Sequence, residues 1–171
     1  LDISMLVPQH GSRFEGPISV AVAGSAPPTA IRDLDALLSR LRTEAGLPVY
    51  HTGGDAAITV TFLPVSVLRQ AAPGAACFAA PRISTWADYR DATGATLDWT
   101  DYRLRQRVAI FIPDDAPPQE VRDCLNEELA QAIGPLDDLY RLPDTVFNDD
   151  NVNSVLTGFD MEILRLTYSP Q

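Results

Sequence analysis

The stretch that decides the fold of this chain is Glu127-Glu128-Leu129-Ala130-Gln131-Ala132-Ile133-Gly134-Pro135-Leu136-Asp137. It closes a segment in which apolar residues recur every three or four positions, which predicts a helix from about Pro118 to Ile133. The preceding Asp114 or Asp115 is a candidate cap for its first turn. A glycine followed by a proline cannot continue a helix, so the stretch also predicts where this one ends.

The end of this helix and the residues after it carry several polar side chains at regular spacing. Glu127 and Gln131 are four residues apart, which places them one above the other on a single helix face. Gly134 follows three residues later and permits a sharp turn, and Asp137 follows after three more. Glu128 points about 100° away from its neighbour, so the adjacent carboxylates do not form an acid–base pair by their own geometry.

The other segments predict one α+β domain covering residues 1–171, without repeats or an internal linker. Residues 1–16 are expected to form an extended arm, and residues 81–102 short strands with an irregular loop. Period-two patterns predict strands at residues 18–22 and 57–63, and residues 105–112 are expected to form a further strand. Helices are expected at residues 31–41, 65–70 and 156–167.

Composition excludes two classes of protein. The chain has 171 residues, 46% of them hydrophobic, which suits one globular domain. Its net charge is −10, with 13 Arg and no Lys, and nucleic-acid binding needs a positive footprint instead. No apolar run reaches the roughly 18 residues that a membrane-spanning helix requires. Leu1 is not a start methionine, so we expect that it follows a cleaved signal, a lipid anchor or a trimmed end.

The segment 127–137 resembles the long zinc-binding motif of the metzincin proteases, HExxHxxGxxH, with every histidine replaced. The ligand positions hold Glu127, Gln131 and Asp137, and Glu128 stands where the general base belongs. Phe147 stands where these proteases have the methionine of the Met-turn. Residues 57–62 resemble their second strand and residues 156–168 their closing helix. The resemblance implies a zincin-like fold: a twisted mixed sheet of four to five strands, a long N-terminal helix, a central motif helix and a C-terminal helix.

A second resemblance is more specific and carries less functional knowledge. The combination Glu127-Glu128-Leu129-x-Gln131 with Phe147-Asn148-Asp149-Asp150 is similar to an uncharacterised bacterial family of exported domains. The resemblance implies a periplasmic or extracellular location. It also bears on Cys77 and Cys124, whose spacing of 47 residues alone leaves open a disulfide or two buried thiols. Export favours the disulfide.

The residues at the motif positions predict weak metal binding. The set Glu127, Gln131 and Asp137 offers only oxygen atoms, whereas zinc sites are built from Cys and His. Oxygen ligands suit Ca²⁺, Mg²⁺ or Mn²⁺, so a hydrolase using such a cation is the alternative function. The two histidines, His10 and His51, fall in expected loops. Accordingly, neither zinc nor any other cofactor is expected.

Several of these residues have a purely structural interpretation as an alternative to a functional one. Glu127 and Gln131 could hydrogen-bond each other on the helix surface. The run at residues 148–151 suits a solvated turn. Aromatic side chains in residues 86–102 suit core and edge packing, or else a surface for a protein partner; they are Trp86, Tyr89, Trp99 and Tyr102.

The sequence thus favours a catalytically inactive, metalloprotease-like domain. Its expected role is a protein-binding or accessory module, with a component of a bacterial envelope complex as the partner. A further alternative is a sugar hydrolase that pairs Glu128 with a second carboxylate across a cleft.

Overall fold

The computed structural model describes residues 13–100, 102–134 and 155–170. Five strands form a single sheet: β1 (Ile18–Gly24), β2 (Val49–His51), β3 (Ile58–Leu63), β4 (Phe78–Pro81) and β5 (Val108–Pro113). Five helices accompany it: α1 (Pro28–Glu44), α2 (Val65–Ala71), α3 (Trp86–Asp91), α4 (Pro118–Ile133) and α5 (Gly158–Thr167). No helix among the described residues is long and apolar enough to cross a bilayer.

The sheet is mixed, with the strand order β2-β1-β3-β5-β4. Four strands run parallel to one another, and the edge strand β4 runs antiparallel to β5. Helix α1 makes the crossover from β1 to β2, as parallel strands require. The prediction of a mixed sheet of four to five strands with an N-terminal, a central and a C-terminal helix is therefore confirmed as a mixed α/β architecture.

Strand β5 lies at the centre of two hydrophobic cores, and all six of its residues are buried. Its side chains alternate between the two faces of the sheet. Val108, Ile110 and Ile112 join the larger core, where α1, α4 and α5 pack. Ala109 and Phe111 join a smaller core on the opposite face. A strand buried on both faces reads as a continuous apolar run, which is how it appears in the sequence.

Helix α4 has the bounds that the sequence predicts, but its first turn is built differently. Its N-cap is Pro117, which has no side chain to cap the helix. Neither Asp114 nor Asp115 caps it, so that prediction is wrong. The Oδ1 atom of Asp115 instead accepts a 2.9 Å hydrogen bond from the backbone N–H of Val65, at the start of α2. Proline in the first turn already removes one of the donors that a cap would satisfy.

Two elements depart from the sequence interpretation. Strand β2 is only three residues long, too short to show a period-two pattern. Helix α3 lies in the region where short strands and a loop were expected. Its six residues are held by a capping box, in which the Thr85 hydroxyl accepts from the N–H of Asp88 while Asp88 accepts from the N–H of Thr85.

Candidate functional site

Helix α4 positions the polar residues of the motif against the sheet. Its buried face carries Val121, Leu125 and Leu129, which pack into the larger core. Glu128 belongs to the buried residues of this helix and is only 8% exposed. Both Glu127 and Gln131 are half-buried. The helix therefore carries two adjacent carboxylates into a partly enclosed region.

A disulfide joins α4 to the sheet edge. Cys77, the residue before β4, is bonded to Cys124 in the second turn of α4, with their Cα atoms 6.1 Å apart. This confirms the disulfide that export favoured. The bond spans 47 positions of sequence, so it fixes the distance between the motif helix and the antiparallel edge strand.

Both carboxylates lie beside this disulfide. The Sγ atom of Cys77 and one carboxylate oxygen each from Glu127 and Glu128 lie within 4.8 Å of one another. Glu128 Oε1 is 3.8 Å from Cys77 Sγ. Since a disulfide sulfur carries no hydrogen, this is a packing contact and not a hydrogen bond. The oxidised site consists of two carboxylates against an apolar sulfur.

The metzincin ligand positions do not fit zinc. Among the described residues they hold Glu127 and Gln131, one carboxylate and one neutral amide. Zinc sites draw mainly on imidazole and thiolate, and neither ligand type occurs at these positions. Two expected members of the motif, Asp137 and Phe147, lie outside the described residues, as does the run at residues 148–151. We derive no zinc chemistry from the motif positions.

The C-terminal end of α4 is held by a residue that sequence reasoning missed. Arg105 is buried, and its Nη1 atom donates to the carbonyl oxygens of Gln131 (3.2 Å) and Ala132 (2.5 Å). A cation is favourable there because the last carbonyls carry the negative end of the helix dipole. Burial lowers the pKa of Arg105 to about 10, still far enough above neutrality to keep the charge.

Tyr168, just after α5, supports the same helix end. Its hydroxyl donates to the carbonyl of Ile133 (2.7 Å) and accepts from the N–H of Phe14 (3.2 Å). Burial raises the pKa of Tyr168 to about 12, so the phenol keeps its proton well into the alkaline range. Arg105 and Tyr168 thus fix the end of α4 where the chain turns at Gly134. A lone arginine before a strand gives no sequence signal for such a role.

Trp86 and Tyr89 of α3 pack in the smaller core. Their rings stack with centroids 5.2 Å apart, and Trp86 meets Phe111 of β5 edge-on at 5.0 Å. Phe78 of β4 lies 5.1 Å from the ring of Tyr89. These contacts attach α3 to the open face of the sheet.

Tyr102 and Trp99 are also engaged in local packing. The buried Tyr102 hydroxyl donates to the carbonyl of Arg107 and accepts from the N–H groups of Gln106 and Arg107, each at 2.8 Å. The guanidinium of Arg105 lies 5.3 Å from the centroid of the Trp99 ring. The four aromatic residues named from the sequence therefore lie in two separate groups, neither of which joins the carboxylates.

Within the part of the chain that the structure describes, a groove runs along the edge of β1 that β2 leaves uncovered. This groove has a volume of about 880 Å³. It is lined by residues of β1 and the loop after it, of α1, and of the end of β2 and the segment after it: Val22, Gly24, Ser25, Ala26, Ile31, Asp35, His51, Thr52 and Gly53. His51 and Asp35 pair across it, Nδ1 to Oδ1, at 2.9 Å. His51 therefore lies in a short strand and not in a loop, while His10 lies outside the described residues. A smaller pocket of about 320 Å³ separates the first turns of α1 and α4.

Fold and site define a mixed α/β domain whose central helix carries paired carboxylates beside a disulfide. The chain belongs to the family described as "Protein of unknown function (DUF2927)", whose model matches residues 6–171. Membership confirms the expectation of an uncharacterised family. A search of curated proteins found no match.

Proposed function

We propose that this chain is a zincin-like domain without peptidase chemistry, acting as a protein-binding accessory module in the bacterial envelope. One observation carries the proposal. The helix that keeps the metalloprotease frame holds Glu127 and Gln131 at its ligand positions, and its would-be base Glu128 packs against a disulfide sulfur. Glu127 and Gln131, at the positions of zinc ligands, therefore belong to a helix that a disulfide fixes to the sheet edge.

The order of elements supports the zincin-like assignment. A strand, a long helix, further parallel strands and an antiparallel edge strand precede the motif helix, and a closing helix follows. Helix α4 comes directly after strand β5 and packs on the same face of the sheet as α1. That is the sequence of elements that the metzincin resemblance implies.

Catalysis by Glu128 is disfavoured on chemical grounds. In zinc hydrolases a metal lowers the pKa of bound water from about 15.7 to about 7 before a carboxylate removes its proton. Glu128 has no imidazole or thiolate zinc ligand at the motif positions Glu127 and Gln131. Without a metal at these positions, Glu128 would act on water whose pKa is not lowered, which removes the step that zinc supplies in these proteases.

The disulfide supports an envelope location. Disulfides persist in oxidising compartments such as the periplasm and are rare where thiols are kept reduced. The bond between Cys77 and Cys124 joins the segment before β4 to helix α4, so it crosslinks two parts of the folded domain.

The groove along β1 is the surface that we assign to the partner. Strand β2 accompanies β1 only as far as Val20, whereas β3 pairs with it on the other side up to Gly24. Bonds from Ile18 N–H to Pro48 and from Thr52 N–H to the Val20 carbonyl show that even-numbered residues of β1 point toward β2.

Beyond Val20, the backbone groups of Val22 consequently face the groove, and Gly24 also lines it. Among the described residues no strand pairs with β1 there. An extended segment of a partner protein fits this edge, because it continues the ladder that β2 begins. Ile31 offers an apolar contact for that segment, and the His51–Asp35 pair offers a polar one.

Site-specific photo-crosslinking in native envelopes tests this assignment. A photoreactive residue at Thr52, in the groove, should crosslink to one partner segment, while one at the exposed Ser39 of α1 should not. A synthetic peptide of the crosslinked segment should bind the purified domain, and Ile31→Glu should abolish that binding. Ser39→Glu is the matched control on the same helix and should bind as the wild type does.

Any of three results would overturn the proposal. The first is stoichiometric zinc in the oxidised protein with peptidase activity that Glu128→Gln removes. The second is a crosslinking pattern that is the same from Thr52 and Ser39. The third is a peptide whose affinity does not change with Ile31→Glu.

A further inference from the structure

We infer that reduction of the Cys77–Cys124 disulfide converts this corner of the fold into a site for one Zn²⁺-like cation. The ligands would be both thiolates with the carboxylates of Glu127 and Glu128. This site differs from the metzincin frame, since it uses neither Gln131 nor residue 137. The inference does not depend on the partner surface proposed above.

Helix α4 supplies three of the four ligands from one face. Cys124, Glu127 and Glu128 occupy positions i, i+3 and i+4, which are neighbours on a helix surface. Cys77 approaches from the segment before β4, and its Sγ already lies within 4.8 Å of a carboxylate oxygen from each glutamate. The fold therefore holds three of the four ligands close together, and the fourth, Cys124, is bonded to one of these three, Cys77.

Distances suit a tetrahedral site. Zinc binds thiolate at about 2.3 Å and carboxylate at about 2.0–2.2 Å, which places neighbouring S and O ligands roughly 3.6 Å apart. The observed separation between Cys77 Sγ and Glu128 Oε1 is 3.8 Å. Two zinc-bound thiolates lie roughly 3.8 Å apart, a spacing that side chains on Cα atoms 6.1 Å apart reach by χ1 rotation.

Charge favours a cation only in the reduced state. In the oxidised protein the sulfurs are neutral, and the two carboxylates alone make a poor zinc site. After reduction, two thiolates would join two carboxylates in a region where Glu128 is 8% exposed. Reduction therefore adds two anionic zinc ligands beside the carboxylates, and thiolates are ligands that Zn²⁺ prefers.

The chemistry balances with a phosphine reductant. The phosphine gives two electrons to the S–S bond and becomes its oxide by taking the oxygen atom of one water. The two protons of that water go to the two sulfurs. Zn²⁺ then displaces both protons to the buffer as it binds the thiolates. In a cell, a dithiol protein would supply the same two electrons and two protons and become a disulfide.

The test uses the whole chain with tris(carboxyethyl)phosphine, because dithiol reductants chelate zinc themselves. Co²⁺ is the spectroscopic probe, since thiolate ligation gives charge-transfer bands in the near ultraviolet. Reduced protein should bind one Co²⁺ with these bands, and Zn²⁺ should displace it. Oxidised protein should show no such bands. Glu128→Gln should weaken Zn²⁺ binding roughly tenfold or more, whereas Asp123→Asn, on the same helix, should leave it unchanged.

Reduction itself could unfold the chain, so circular dichroism accompanies the titration. If the reduced chain unfolds, Zn²⁺ should restore its helical signal by linkage, and the same titration of Cys77→Ser/Cys124→Ser should not. The inference is overturned if reduced protein binds no Co²⁺ or Zn²⁺, if the double serine variant binds equally well, or if an unfolded reduced chain stays unfolded with Zn²⁺.

Discussion

The Arg105 guanidinium donates a 2.5 Å hydrogen bond to the carbonyl of Ala132, in the last turn of the helix that carries the paired carboxylates. A second bond, of 3.2 Å, reaches the carbonyl of Gln131. Both acceptors have lost their helical partners because the helix ends at Ile133. One buried side chain therefore satisfies the end of α4 and holds the motif residues in place.

Arg105→Met is expected to destabilise the domain by about 2–3 kcal/mol, because two buried carbonyls lose a charged donor while the volume is nearly kept. Urea unfolding at neutral pH measures this loss. Arg103→Met is the matched control, since Arg103 is exposed, and should change stability by no more than about 0.5 kcal/mol. Equal effects of the two variants would contradict the capping role.

Ionisation of Tyr168 is expected to lower the free energy of unfolding at alkaline pH. Its folded pKa is raised to about 12, above the ordinary value of 10, so the fold favours the neutral phenol. The contribution is fully present below pH 10, where both states hold the proton. It is lost as pH rises from 10 through 12, by on the order of 2 kcal/mol. Tyr168→Phe should remove this loss while costing about 1 kcal/mol at neutral pH.

Arg105 titrates in the opposite sense over the same range. Burial lowers its pKa to about 10, so above that pH the folded state sheds a proton that the unfolded state keeps. Stability then rises with pH. The change of the wild-type free energy of unfolding with pH is the sum of both effects. Unfolding curves measured between pH 9 and 11 for the wild type and for Tyr168→Phe separate the contribution of the tyrosine. Identical slopes would show that the phenol does not contribute.

Much of the fold could be predicted because its signals are local. Helix α4 begins at a proline and ends at Gly134, and both residues act within one turn. Strand β5 is visible in the sequence as an unbroken apolar run. Helix α3 was missed although Thr85 and Asp88 have capping-box spacing. Six residues cannot show a helical period, so the cap was the only available signal.

Substitutions at Trp86 test whether this aromatic residue stabilises the fold by packing. Trp86→Ala should cost about 3 kcal/mol, because it empties the contact with Phe111 and the stack on Tyr89. Trp86→Phe should cost less than about 1.5 kcal/mol. Thermal unfolding of both variants measures the difference. A stable Trp86→Ala variant with weakened partner binding would instead assign this residue to an interface.

The candidate site was less predictable than the fold because tertiary contacts build it. Glu128 and Cys77 are 51 positions apart, and only the path of the chain through β4 brings them together. Likewise, Arg105 reaches Ala132 across 27 positions. Sequence spacing reveals neighbours on one helix, such as Glu127 and Gln131, but it does not show which remote side chain meets them.

Gly24, at the end of β1, should tolerate no side chain. Its φ is +80°, and a Cβ there would lie 2.3 Å from the carbonyl oxygen of Phe62. Gly24→Ala is expected to cost more than about 2 kcal/mol, from strain and the backbone clash together. Gly54→Ala is the control: its φ is +88°, yet a Cβ meets nothing within 4 Å, so about 1 kcal/mol of strain remains. Comparable losses in denaturant unfolding would show that no close approach exists at Gly24.

Removing the disulfide should be the most costly of these changes. The bond between Cys77 and Cys124 closes a loop with a sequence separation of 47, for which chain entropy predicts about 4 kcal/mol. Cys77→Ala/Cys124→Ala should therefore lower the urea midpoint strongly, because the unfolded chain regains that freedom. Adding reductant should lower the wild-type midpoint toward that of the variant and leave the variant unchanged. A variant as stable as the oxidised wild type would mean that packing alone holds α4 against the sheet edge.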